Sequence, residues 1–130
     1  MIVVDANVVV YFLIEGDRTQ AARELMRRDP DWRLPALWRH EYLNVLATLV
    51  RAGGATLADG RGLWRLGIEG FGQREEDLDM DEALALAAEH RVSAYDAQYL
   101  VLARRLRTVC VTDDRRLQQL FPQLARGMQA

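Results

Sequence analysis

Ile2-Val3-Val4-Asp5-Ala6-Asn7-Val8 is the stretch on which the reading of this chain turns. Its first three residues are β-branched, a short run suited to a strand buried on both faces, and Asp5-Ala6-Asn7 stops that run with turn-forming residues. A carboxylate placed just after a buried strand is a chemical position as well as a structural one, because open parallel sheets bind ligands in the crevice beyond the carboxyl ends of their strands. The following run, Val8 to Ile14, has strand propensity but equally suits a buried helix. Periodicity does not separate the two in so short an apolar segment.

Working outward, Asp17 to Arg28 reads as an amphipathic helix with Ala21, Ala22, Leu25 and Met26 on one side, ended by Asp29-Pro30-Asp31. Arg33-Leu34 suits a short strand. Pro35 fits the first turn of a helix running to about Arg51, which Gly53-Gly54 closes. Between Gly53 and Gly72 lie seven of the nine glycines, interleaved with Leu57, Leu63, Trp64, Leu66 and Ile68. A helix of that composition is marginal alone and needs a partner surface. A brief strand near Arg74 to Leu78, helices at about Met80 to His90 and Ala94 to Leu106, a buried strand at Thr108 to Val111 and a last helix from Asp113 or Asp114 complete the pattern. Strands alternating with helical segments predict an α/β fold whose parallel sheet is covered on both faces.

Composition bounds the chemistry. The chain has 130 residues, 50% hydrophobic and 28% charged with a net charge of -2, which suits a single domain over 1–130 with a core that needs neither disulfides nor structural metal. Every one of the 17 basic residues is Arg. The absence of Lys excludes a P-loop phosphate site and a Schiff-base mechanism, while Arg remains well suited to phosphates. A sequence pI near 5.7 leaves any polyanion to be met by local arginine patches. The one cysteine, Cys110, lies between Val109 and Val111 and reads as a small buried hydrophobe. Intramolecular disulfides are therefore impossible, in keeping with a cytoplasmic location. The start, Met1 to Asp5, has neither the basic segment nor the apolar length of a signal peptide, and no run approaches a membrane span.

The candidate site is drawn by the acids. Asp5 ends the first strand, and Asp113 and Asp114 end a late one. Glu41 interrupts an apolar helical stripe, with Leu37, Trp38 and Val45 as its helical neighbours and Asn44 beside it; Asp96 has Tyr99 and Leu100 at i+3 and i+4. Converging carboxylates repel one another by about 1 to 4 kcal/mol per close pair, a cost that a divalent cation removes. Each acid also has a structural reading. Ser93-Ala94-Tyr95-Asp96 fits a capping box, Asp113 and Asp114 fit a helix cap, Asp5 a turn, and Glu41 a solvated helix charge. The remaining acids, Glu75-Glu76-Asp77 and Asp79 to Glu82, read as an exposed charge run and first-turn charges. His40 and His90 lack metal-like spacing, and Trp32, Trp38 and Trp64 read as core.

Taken together, the strand ending in Asp5-Ala6-Asn7-Val8, the helix Trp38 to Leu46 carrying Glu41, Ser93-Ala94-Tyr95-Asp96-Ala97-Gln98-Tyr99-Leu100 and Val111-Thr112-Asp113-Asp114-Arg115-Arg116-Leu117 resemble the PIN domain in order and spacing. The resemblance extends over nearly the whole chain, and the length is similar to that of VapC-like toxins of toxin/antitoxin pairs. It implies a three-layer α/β/α sandwich with a central parallel sheet, and it makes Val8 to Ile14 the start of the first helix. It also implies a Mg²⁺- or Mn²⁺-dependent ribonuclease, often a homodimer, that hydrolyses phosphodiester bonds in RNA and is silenced by an antitoxin protein. Carried over to this chain, the acidic set is Asp5, Glu41, Asp96 and Asp114, with Asp113 able to take the fourth place and Asn7 and Thr112 assisting. Asp5 and Asp96 are then the direct metal ligands, Glu41 and Asp114 hold metal waters or a second ion, and Arg39, Arg115 and Arg116 are candidate phosphate contacts.

Two other readings remain at this level. A phosphate-transfer enzyme of receiver or haloacid-dehalogenase type also builds on strand-end acids, but such sites usually use a Lys and a second Asp where this chain has Asn7. A catalytically idle PIN-like module that binds RNA or protein would keep the same acids. The segment Gly53 to Gly72 is the candidate antitoxin surface, with packing in the chain's own core or in a homodimer as the alternative.

Overall fold

The computed structural model describes residues 1–129. In chain order the elements are β1 (Ile2–Val4), α1 (Ala6–Leu13), α2 (Thr19–Arg28), β2 (Trp32–Arg33), α3 (Trp38–Arg51), α4 (Leu57–Phe71), a 3-10 turn at Gly72–Arg74, α5 (Met80–His90), α6 (Ala94–Arg105), β3 (Cys110–Val111), α7 (Arg115–Leu120) and β4 (Ala125–Arg126). The four strands form one parallel sheet in the order β2-β1-β3-β4. Val3 is the pivot of the register, paired with Arg33 on one side and Cys110 on the other. All three residues of β1 are buried, as a central strand covered on both faces requires. On one side α1 packs against α2, α3 and α4; α5 and α6 form a second group, with α6 against β1 and β3. The result is the expected α/β sandwich around a parallel sheet.

The ambiguous run after Asp5 is helical. Asp5 sits in an extended conformation as the N-cap of α1, and its Oδ1 accepts from the Val8 N–H at 3.1 Å. Capping and burial of Ala6, Val8 and Val9 together override the strand propensity of the valines. Two other expectations are corrected. No strand forms over Arg74 to Leu78; the 3-10 turn is followed by a single bridge between Leu34 and Glu75. The acidic run there is not simply solvated. Glu75 accepts from Trp38 Nε1 at 2.8 Å and also pairs with Arg39, and Glu76 accepts from Arg33 Nη1 at 2.6 Å. Finally, Ala125–Arg126 adds an edge strand that no β-branched residue announces.

The sheet order places a reversal between β1 and β3. From β1 the chain moves outward to β2, then returns across β1 to lay down β3 on its other side. Crossovers diverge at that point and leave a crevice at the carboxyl ends of the two central strands. Asp5 and Thr112-Asp113-Asp114 follow those two strands, and the Asp5 N–H donates to the Val111 carbonyl at 3.1 Å.

Candidate active site

A crevice of about 330 Å³ opens at this switch point, lined by Asp5, Asn7, Tyr11, Glu41, Asp96, Tyr99, Asp113 and Asp114 together with Ala6. All five predicted acids therefore meet, although they come from four separate parts of the chain. Strand ends supply Asp5 and the doublet, α3 supplies Glu41 from its first turn, and α6 supplies Asp96 from its own.

Each acid is held by a contact through its side chain or its backbone N–H. The Tyr99 hydroxyl, buried one turn beyond Asp96, donates to Glu41 Oε1 at 2.5 Å and so ties α6 to α3 across the crevice. Ser93 Oγ accepts from the Asp96 N–H at 3.0 Å, the capping interaction expected from the sequence. Asp114 Oδ1 caps α7 by accepting from the Leu117 N–H at 3.1 Å. Thr112 is fully buried, and its hydroxyl accepts from the Asp114 N–H at 3.1 Å. Capping does not consume these side chains, since one oxygen bound to a backbone N–H leaves the other for the crevice. Asp113 is different. Its Oδ2 accepts from both Nε and Nη2 of Arg18, at 2.9 and 2.6 Å.

Electrostatics link the acids into one system. Burial pushes the Asp5 carboxyl up to about 6; hydrogen bonds with Thr112 and the Val8 N–H pull against that shift, while the charges of Glu41 and Asp113 add to it. Glu41 is raised by burial, lowered by its bond from Tyr99 and raised again by Asp96. Burial raises Asp96 as well, with Asp114 adding repulsion and Ser93 and Arg116 opposing it. The Tyr99 hydroxyl is pushed far above its ordinary range by burial and by Glu41, so it stays protonated and keeps its proton to donate to Glu41. Carboxylates that raise one another in this way favour a cation.

Whether the donor set fits a divalent ion follows from its chemistry. Hard carboxylate oxygens in one water-accessible crevice suit Mg²⁺ or Mn²⁺, and Mg²⁺ takes one or two carboxylates and keeps several waters. Among the described residues no group of three or more His, Cys, Asp or Glu side chains is arranged to hold an ion unaided. The arrangement therefore fits an ion with few direct protein ligands and not a closed protein cage.

Of the supporting residues, Asn7 is exposed at the crevice and Thr112 lies beneath it. Arg115 is exposed beside the doublet, and Arg116 reaches the Arg91 carbonyl at 2.8 Å. Arg39 lies outside the crevice lining and is engaged by Glu75. Sequence reasoning did not single out Tyr11, Arg18 or Tyr99 as site residues. Tyr99 was visible only as an apolar neighbour of Asp96, and Arg18 lies 95 residues from its partner. His40 and His90 are exposed and do not line the crevice, and Cys110 is buried with its thiol pushed well up by burial, as an inert core residue should be.

The PIN domain family model matches residues 2–121. The fold is similar to that in the crystal structure of PAE2754 from Pyrobaculum aerophilum, with a TM-score of 0.77 and 22% identity over 98% of this chain and 90% of that one. No curated protein matches the chain.

Proposed function

The chain belongs to the PIN domain family, and from that premise we propose that it is a Mg²⁺- or Mn²⁺-dependent endoribonuclease cleaving single-stranded or structured RNA. The observation that carries this reading is the crevice in which Asp5, Glu41, Asp96 and Asp114 meet at the carboxyl ends of β1 and β3. PIN domains are in general nucleases. The chemistry a divalent cation supplies when bound is polarisation of a water and of a phosphate oxygen, with their developing charge offset.

Within that reading each side chain has a task. Asp5 and Asp96 would hold the ion directly, and Asp114 and Glu41 would hold its waters or a second ion. Tyr99 keeps Glu41 aimed into the crevice, and Thr112 fixes Asp5 and the backbone of Asp114 together. Asn7 offers an amide at the crevice. Arg115 and Arg116 offer guanidinium groups near its lip to the flanking phosphates.

The reading extends to a cytoplasmic toxin of a toxin/antitoxin pair, active as a homodimer and silenced by a small protein. Its support is the similarity in motifs to VapC-like toxins, together with an apolar groove of about 390 Å³ between α3 and α4 lined by Leu43, Leu46, Val50, Leu57 and Trp64. No helix among the described residues is long and apolar enough to cross a membrane.

The test is cleavage of a fluorescent RNA with Mg²⁺ or Mn²⁺. Wild type should cut, EDTA should stop it, and Asp5→Asn or Asp96→Asn should abolish cleavage while circular dichroism stays native. Undiminished cutting by either variant would sink the assignment. A wild-type chain that binds RNA without cutting it would make the domain an idle binding module.

A further inference from the structure

We propose that Arg18 is a positioning residue that withdraws Asp113 from cation binding and so leaves Asp114 as the fourth acid of the crevice. The inference rests on the metal-dependent reading of that crevice and concerns a residue outside the family's acidic set.

Arg18 stands just before α2, and the loop that presents it is locked. The Thr19 hydroxyl is buried, donates to the Ile14 carbonyl at 3.1 Å and accepts from the Gly16 N–H at 3.0 Å. The opposite wall is equally fixed, because Asp113 follows the fully buried Thr112. Between these walls two guanidinium nitrogens meet one carboxylate oxygen. The two members of the doublet are thus treated differently. Asp113 has a cation partner; Asp114 has none among the described residues and spends one oxygen on a backbone N–H.

The pair is half-exposed, with side-chain exposures of 38% and 28%. An ion pair in that setting adds little stability, so its consequence lies in where the charge sits. Five carboxylates line the crevice. With Asp113 paired to Arg18, four carboxylates with no salt bridge among the described residues remain to face a cation. A fifth would further repel the anionic backbone of an RNA entering the same space.

The test measures Mn²⁺ affinity by isothermal titration calorimetry on the full chain at neutral pH, with no RNA present. Asp5→Asn should weaken Mn²⁺ by about tenfold or more. If it does not, the metal-binding reading itself fails. Given that result, Arg18→Gln should tighten Mn²⁺ by about tenfold, because Asp113 regains a full charge. Asp113→Asn should weaken it by a similar factor, because the Arg18 charge is unmasked. The deciding arm is Arg18→Gln combined with Asp113→Asn, which restores neutrality without the Asp113 carboxylate. Affinity within about twofold of wild type in that double variant supports the proposal. A double variant as weak as Asp113→Asn alone would make Asp113 a direct ligand and overturn it, and so would an Arg18→Gln variant that fails to tighten Mn²⁺. Arg18→Lys keeps the charge and should stay near wild type, which separates lost charge from a disturbed loop.

Discussion

Asp5 carries three jobs in one side chain: it ends β1, caps α1 and faces the crevice. Those jobs conflict when the carboxyl is ionised, because burial and the neighbouring Glu41 and Asp113 charges hold its pKa at about 6, above its ordinary 3.8. A carboxyl raised by folding binds its proton more tightly in the native state than in the unfolded chain. Its contribution is fully present below pH 4 and lost as pH rises through 6, on the order of 3 kcal/mol for a shift of this size. Asn caps a helix as well as Asp and has no charge to lose. In urea titrations with EDTA, Asp5→Asn should therefore gain stability relative to wild type between pH 4 and pH 7. The gain should shrink when Mg²⁺ is added, since the cation removes the same repulsion. A constant difference across that pH range would show that Asp5 is not strained in the metal-free protein. At this scale Asp5 was legible from its place after a β-branched run, and Glu41 from its misfit in an apolar stripe. Arg18 was not, because an ion pair closed across 95 residues leaves no local pattern.

α4 shows the same contrast for an element. Its glycines predicted a helix too weak to stand alone, and the partner surface is α3 of the same chain. A Cβ on Gly67 would lie 2.5 Å from Tyr42 Cε2, and one on Gly60 would lie 2.9 Å from Val50 Cγ2. Tyr42 is fully buried, stacks between Trp38 and Trp64, and donates its hydroxyl to the Leu63 carbonyl at 2.6 Å. Its ring has no room to retreat. Gly67→Ala should therefore lower stability by about 1 to 3 kcal/mol through overpacking. Gly62→Ala, with open space around its Cβ, should raise stability by about 0.5 to 1 kcal/mol through helix propensity. Thermal melts of the two variants check both signs. Leu63 and Trp64 pack against the core, as the self-packing alternative had it, while Leu57 and Leu66 remain exposed.

At the scale of the molecule, those exposed leucines and the α3–α4 groove leave apolar surface that one copy of the chain does not cover. On the toxin reading, the product of a neighbouring gene should co-purify with the chain and suppress cleavage. Recovery of a homodimer alone, with cleavage unchanged by that product, would end the antitoxin reading and leave the catalytic assignment untouched.

What the sequence determined by itself was the alternation of elements and the chemical character of their ends. Burial of Ile2-Val3-Val4, helix closure at Gly53-Gly54, and the placement of acids after strands are all local consequences of side-chain shape and polarity. Tertiary structure alone decided the rest. Val8 to Leu13 became helix because Asp5 caps it and the core takes its valines. Ala125–Arg126 became a strand because β3 offered an open edge. The acidic doublet was divided because a guanidinium from a distant loop reached one member and not the other. Local propensity is a sum over neighbours in sequence, whereas edges, clamps and shared charge depend on which surfaces the finished fold brings face to face.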